Sequence, residues 1–353
     1  MRPGHWAPVS LSAPFQDVLA LRKETIRSVA SSFVPDVVLV DHMPHGAMGE
    51  LVPTLQALSE TPARMVLGLR DILDAPATVR RRWRLEGALE ALESYFDEVL
   101  VYGSEDVFDV AGQYAWPTSI RDRLRYCGYV CAPAPAPLAD TVRRLHLADH
   151  PDAQLLVAMA GGGADGFELF DALLRALPAV AEEQPCVLVL VTGPFLPEEE
   201  RARLERLAVG LPVHILHQVD DSLSYLSAAD LVIAMAGYNT TSEILSTGAR
   251  ALLVPRKGPS AEQQMRASRF AERGWVKWLP PAELSSTTLA AAVLDALDRP
   301  VGCAGRPPDL LGRQRAARHL LNGGAQEDTD AAVLSATGSD DLLGVGPQLL
   351  GKV

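Results

Sequence analysis

Short, uninterrupted apolar runs recur along this chain, and between them lie longer stretches whose apolar residues return at helical spacing. Runs such as CVLVLV (Cys186 to Val191) do not alternate apolar with polar residues, so a strand there has both faces covered. Strands of that kind belong to parallel sheets, and parallel neighbours need a crossover, normally a helix, to return the chain to the same end. The fold class that follows is α/β, built from Rossmann-like units.

In the first half the strands fall at Asp36 to Val40, Arg64 to Leu69 and Glu98 to Tyr102, with helical stretches between them such as Trp83 to Tyr95. Three such units make an incomplete sheet for a nucleotide-type domain. The segment APAPAPLAD, Ala132 to Asp140, then breaks the pattern, because proline fixes φ and removes the amide donor. Beyond it, strands at Gln154 to Met159, Cys186 to Val191, Val213 to Leu216, Leu231 to Met235, Ala251 to Val254 and Trp275 to Trp278 form a fuller set. The expected organisation is an incomplete first domain over residues 1–135, a linker over 136–150 and a second domain over 151–300. A C-terminal helix region over 301–322, with its basic helix at Leu311 to Leu321, and a disordered tail over 323–353 complete it.

A net charge of -12 argues against a broad nucleic-acid surface, which needs clustered Lys and Arg to replace phosphate counterions. The N-terminus has no uninterrupted apolar core of the secretory type, and no later apolar run is long enough for a transmembrane helix, so a cytoplasmic protein is expected. The four cysteines, Cys127, Cys131, Cys186 and Cys303, are too few and too irregular for a disulfide framework and read as reduced structural thiols.

Gly161, Gly162, Gly163, Ala164, Asp165 and Gly166 satisfy a GxGxxG pattern directly after the strand LLVAM and before the helix FELFDALLRAL. Glycines there let the backbone approach an anion, and the following helix offers free N–H groups and the positive end of its dipole. A tight ligand-free turn would use the same residues. A nicotinamide dinucleotide would need an acidic residue at the tip of the next strand, but that strand ends in Thr192, Gly193 and Pro194, and Glu182 and Glu183 precede it. No Gly-Lys-Ser/Thr follows the glycines, so a Walker A loop is excluded.

A second constellation lies between Asp230 and Gln264. The strand LVIAM ends in Ala236 and Gly237, and a helix opens at Asn239 to Thr241, where Asn239, Thr240 and Thr241 could cap its N–H groups and make another anion-binding start. Glu243, read as lying in the first turn, suits a pair of vicinal ribose hydroxyls, although a capping-box glutamate would look the same. After the next strand, Pro255 opens a loop that ends in Glu262, Gln263 and Gln264, donors and acceptors suited to sugar hydroxyls or simply to an exposed helix start.

From Gln154 to Leu297 the chain resembles the glycosyltransferase family 28 C-terminal domain, in particular the GlcNAc transferase that completes the peptidoglycan lipid precursor. It resembles still more closely a group of bacterial predicted glycosyltransferases. The resemblance implies a GT-B arrangement, two Rossmann-like domains facing a cleft. It implies that Gly161, Gly162 and Gly163 bracket the donor diphosphate together with the helix of Gly237, Asn239 and Thr240. It further implies that Glu243 holds the ribose, that Gln263 and Gln264 contact the donor sugar, and that main-chain groups around Val219, Asp220 and Asp221 read a uracil ring.

The first half is similar to the family's acceptor domain, with Val34 to Glu50 at the strand and loop that face the cleft. His42, His45, Asp41 and Asp71 then lie at strand ends, and His42, His45 and Asp71 are the candidate bases for an attacking hydroxyl. They are equally compatible with ordinary loop histidines and an ion-paired aspartate. The family opens with a strand and a glycine-rich loop bearing a histidine, a segment not found in this sequence, so a protein partner supplying it is one expectation. The resemblance implies transfer of a hexose such as GlcNAc from a UDP-sugar to an acceptor hydroxyl, inverting and without a metal or other cofactor. A non-catalytic nucleotide-sugar-binding subunit and a sugar-nucleotide epimerase remain the alternatives.

Overall fold

In a computed structural model the described residues are 11–132, 136–298 and 307–322. The chain enters through α1 (Phe15–Phe33) and β1 (Val37–Asp41), followed by α2 (Val52–Leu58), β2 (Arg64–Arg70), α3 (Pro76–Leu85), α4 (Ala88–Tyr95) and β3 (Glu98–Tyr102). Two short helices, α5 (Val110–Tyr114) and α6 (Thr118–Arg121), lead to β4 (Leu124–Tyr126). The sheet is parallel with its strands in the order β1-β2-β3-β4, so β1 forms one edge.

The differences from expectation have local causes. β4 is a fourth strand that LRY is too short and too polar to announce. α1 begins at Pro14 without a side-chain cap and buries only Leu19, so neither its start nor its face is marked in the sequence. The stretch Trp83 to Tyr95 is two helices, because Gly87 adopts φ 72° between them, a left-handed conformation that glycine takes without strain.

The second domain comprises α7 (Ala139–His146), β5 (Gln154–Met159), α8 (Phe167–Glu183), β6 (Cys186–Val191), α9 (Glu198–Leu207), β7 (Val213–Leu216), α10 (Ser222–Ala228) and β8 (Leu231–Ala234). It continues through α11 (Tyr238–Thr247), β9 (Ala251–Leu253), α12 (Glu262–Glu272), β10 (Lys277–Trp278) and α13 (Ser286–Leu297). The strand order is β10-β9-β8-β5-β6-β7, all parallel. The chain therefore builds outward from β5 to β7, then returns to the other side of β5 and builds the opposite way. Between β5 and β8 the connections diverge, and the carboxyl ends of those strands open a crevice, the usual place for a ligand in an open α/β sheet. α8 and α13 cover one face, while α10, α11 and α12 cover the other.

Residues 136–150 are more than a linker. Val142 and Leu147 join the second domain's core, and Arg143 on α7 donates to the Ala228 carbonyl and to Asp230 at 3.0 Å. The last helix, α14 (Gly312–Asn322), returns to the first domain. Its Ala316 packs on Val66, Leu100 and Cys127, and Arg64 donates to the carbonyls of His319 and Leu320. Cys127, Cys131 and Cys186 are free thiols, while Cys303 and the tail 323–353 lie outside the described residues. No helix among the described residues is long and apolar enough to cross a membrane.

Candidate functional site

The divergence between β5 and β8 places the glycine loop opposite the start of α11. Gly161 has φ 60°, and a Cβ built on it would lie 3.9 Å from the Thr240 hydroxyl, so the two segments face each other in near contact. Gly237 caps α11 without any side-chain hydrogen bond. The amides at this helix start are thus left to water or to an anion, with the positive end of the dipole behind them. The expected capping by Asn239 and the threonines does not occur. Asn239 is exposed, and Thr241 Oγ1 turns back to donate to the carbonyls of Gly237 at 2.9 Å and Tyr238 at 3.0 Å.

The three glycines divide their work. A Cβ on Gly162 would stand 2.8 Å from Phe195 Cδ2, and one on Gly163 would overlap the Thr192 carbonyl. The Gly162 carbonyl accepts from Phe195 N–H at 2.8 Å. Gly162 and Gly163 are glycines because the loop after β6 lies on them, which leaves Gly161 as the one whose space opens toward α11.

Glu243 lies in the second turn of α11 rather than the first, so neither a capping box nor the dipole accounts for it. Burial raises its carboxyl above the usual range, and Ser222 Oγ, at the start of α10, donates to its Oε2 at 3.1 Å. Asp221 caps α10 by accepting from Ser224 N–H at 3.1 Å. Asp220 is exposed and Val219 packs partly on the core, so the Val219–Ser222 segment is tied to Glu243 through a single hydroxyl.

Gln263 and Gln264 stand in the first turn of α12, not in a loop. Gln263 is 8% exposed and its Oε1 accepts from Arg256 N–H at 3.2 Å, leaving its Nε2 amide as the group it can offer a ligand. Gln264 Nε2 donates to the Arg256 carbonyl at 3.5 Å. Arg256 itself bridges Asp165 beyond the glycines at 2.9 Å and Glu262 at 3.4 Å. Its role was invisible in the sequence, since 91 residues separate the ion pair with Asp165.

The seam between the domains runs past the same elements. Arg266 on α12 is 0% exposed and Asp71, just after β2, 2%; Arg266 Nη2 lies 2.7 Å from Asp71 Oδ1 and its Nε 3.1 Å from Oδ2. Arg266 Nη1 also donates to the Ala236 carbonyl at 2.7 Å, immediately before Gly237. Asp74 Oδ1 accepts from Ala261 N–H at 2.9 Å, and Tyr238 Oη accepts from Val130 N–H at 3.0 Å. Asp71 is therefore corrected from candidate base to structural anion: it is sealed in the seam, and its oxygens already face a guanidinium.

His42 and His45 occupy the loop after β1. His42 has φ 71°, an uncommon conformation for a side-chain-bearing residue, and burial together with Arg70 pushes its ring pKa down, which keeps it neutral. Asp41 beside it and Glu262 of α12 oppose that shift. His45 is 7% exposed, with Nδ1 2.9 Å from the Gly46 carbonyl. Among the described residues no three His, Cys, Asp or Glu side chains stand together as a metal site.

Residues 157–301 match the glycosyltransferase family 28 C-terminal domain. Over 151 residues the chain is 36% identical to a UDP-N-acetylglucosamine--N-acetylmuramyl-(pentapeptide) pyrophosphoryl-undecaprenol N-acetylglucosamine transferase from Verminephrobacter eiseniae, covering 42% of this chain and 40% of the relative. Over 239 residues it is 28% identical to an uncharacterized glycosyltransferase of Methanopyrus kandleri, covering 66% and 62%. The match thus spans less than two thirds of either relative. Among solved structures, a UDP-GlcNAc 2-epimerase from Neisseria meningitidis bound to UDP-GlcNAc superposes with TM-score 0.56 at 12% identity, covering 86% of this chain and 81% of that one. MurG from Acinetobacter baumannii superposes with TM-score 0.52 at 15% identity, covering 94% and 82%. These likenesses establish two Rossmann-like domains facing a cleft.

Proposed function

We propose, from a second domain that is a glycosyltransferase family 28 C-terminal domain on a two-domain α/β frame, that this chain transfers a hexose from a UDP-sugar to an acceptor hydroxyl. The observation that carries the reading is convergence at the switch point: Gly161 faces Thr240 at the open start of α11, and one turn further along the same helix Glu243 stands half-buried. A diphosphate at that junction would take the free amides of α11, with Glu243 on the ribose hydroxyls and Gln263 Nε2 toward the sugar. N-acetylglucosamine is the sugar of choice, as in the name of the Verminephrobacter relative.

The chemistry asks for a base on the face of the sugar opposite the leaving UDP. His42 suits it: its ring is kept neutral and it sits at the carboxyl end of β1, within electrostatic reach of Glu262 on α12. The acceptor oxygen bonds to C1 as the C1–O bond to UDP breaks, the hydroxyl proton passes to His42, and the electron pair leaves with the diphosphate. Helix amides stabilise that charge in place of an obligatory metal, and inversion is what the family resemblance implies. The test is UDP release from UDP-GlcNAc with product analysis. A glycosylated acceptor supports the reading, a 2-epimerised sugar replaces it with epimerase chemistry, and UDP binding without turnover replaces it with a binding subunit.

A further inference from the structure

The loop between β9 and α12 leads into the two glutamines, and one residue inside it, Arg256, holds both of them. Its N–H donates to Gln263 Oε1 at 3.2 Å and its carbonyl accepts from Gln264 Nε2 at 3.5 Å. Where the Arg256 backbone goes, the free Nε2 of Gln263 goes with it.

The ends of this loop are fixed by hydrogen bonds. Val254 N–H donates to the Ala234 carbonyl at 2.8 Å, and Ala261 N–H to Asp74 Oδ1 in the first domain at 2.9 Å. The stretch between them is not packed down. A cavity of ≈ 330 Å³ lies between Pro255 to Gly258 and the start of α8, with Met235 and Leu284 also on its walls. A Cβ added to Gly258 would meet nothing within 4 Å. Close packing is what usually fixes a segment's position, and here it is missing. Two ion pairs cross to α8 instead: Arg256 Nη1 to Asp165 Oδ2 at 2.9 Å, and Lys257 Nζ to Glu168 Oε2 at 3.2 Å. The second has both partners exposed and is screened by water, whereas Arg256 is 24% exposed and is held again by Glu262 at 3.4 Å. Asp165 in turn belongs to the glycine loop, in a turn closed by Gly166 N–H donating to the Gly163 carbonyl at 2.9 Å.

We propose that Asp165 and Arg256 are a positioning pair: by tying the loop after β9 to the glycine loop, they hold Gln263 Nε2 at a set distance from the diphosphate and so decide how much a bound sugar adds to the affinity for UDP. The pair touches no substrate and acts through Gln263. It rests on the donor reading above, which gives Gln263 the sugar. The size of the effect is bounded. Removing the pair can shift the loop from its held position by no more than the pair contributes, and a part-exposed ion pair contributes a factor of about two to five.

The experiment is calorimetry on the full chain with UDP and with UDP-GlcNAc, whose ratio of dissociation constants is the gain due to the sugar. Asp165→Asn should cut that gain about two- to fivefold, while affinity for UDP holds or rises because an anion leaves the neighbourhood of the diphosphate. Asp165→Glu keeps the charge and should keep the gain. In an Arg256→Gln background, Asp165→Asn should cost nothing further, since its partner is already gone. In the parent the gain should shrink as salt rises from about 0.01 to 1 M, where the screening length falls from about 30 to 3 Å, and in Asp165→Asn it should stay flat. A pair that only stabilised the fold would leave the ratio alone, whatever it did to melting. An Asp165→Asn gain equal to the parent's, a loss as large in the Arg256→Gln background as in the parent, or the same salt slope in both proteins overturns the proposal. If the parent binds UDP-GlcNAc no better than UDP, Gln263 has no sugar and the donor reading falls together with the pair. A parent that prefers UDP-GlcNAc while every variant matches it sinks the pair alone.

Discussion

Removing the Asp71 carboxylate is the perturbation whose consequence the structure fixes most narrowly. Arg266 is fully buried, Asp71 is 2% exposed, and both carboxylate oxygens engage the guanidinium. With Asp71→Ala the Ala236 carbonyl still accepts from Nη1, but the nearest remaining carboxylate is Glu262 at 3.9 Å, leaving a buried cation with a poor partner. Breaking one side of such a pair costs about 3–5 kcal/mol, a large part of a stability margin of about 5–15 kcal/mol. Replacing both members with apolar residues of similar volume, Asp71→Leu with Arg266→Met, should recover most of that loss, because no charge is stranded. Urea unfolding followed by tryptophan fluorescence reads this directly, Trp275 reporting on the second domain and Trp83 and Trp116 on the first. The double variant should still bind UDP more weakly than the parent, since the Ala236 carbonyl ahead of α11 has lost its anchor. An Asp71→Ala loss below about 1 kcal/mol, or a double variant no more stable than the worse single one, would refute the reasoning.

Glu243→Ala should weaken UDP by about 1–3 kcal/mol in calorimetry, the effect of leaving ribose hydroxyls without their acceptor, and unchanged affinity would take Glu243 out of the site. Burial holds the free Glu243 carboxyl above the usual range, and ribose hydroxyls favour its ionised form. UDP affinity should therefore fall as pH drops through that raised value, with proton release on binding visible in buffers of different ionisation enthalpy. The same raised value contributes folding stability at low pH that is lost as pH rises through it. His42 has the opposite sign: its depressed ring pKa gives stability that is full above the ordinary histidine value and declines as pH falls toward the depressed one. A flat stability profile across that window would contradict its burial, and His42→Gln should remove the effect. Both Gly161→Ala (φ 60°) and Gly163→Ala (φ 88°) carry left-handed strain, but Gly163→Ala also meets the Thr192 carbonyl and should destabilise the fold more, while Gly161→Ala should weaken UDP binding as well. Gln263→Ala should lower affinity for the UDP-sugar but not for UDP, and equal losses would return Gln263 to its structural bond with Arg256.

Some of this protein was legible in its residues because the information is local. Buried parallel strands need largely apolar runs, and β3, β5 and β6 occur where those runs stand. A glycine run after a strand and before a helix marks a close backbone approach, and that approach exists at Gly161 to Gly163. β4 and α1 stayed hidden because each draws its stability from what it packs against, and neither carries a strong pattern or cap of its own.

The sequence alone determined an α/β chain with two sheet-forming halves and a family-like donor segment. Tertiary structure decided what each candidate residue does. Asp71 and Arg266 lie 195 residues apart, so only the closure of one domain on the other turned a proposed base into half of a buried ion pair. Glu243 gained Ser222 and Asp165 gained Arg256 for the same reason. Hydrogen bonds act over about 3 Å of space whatever the separation along the chain, so their partners are set only when the fold brings distant segments together.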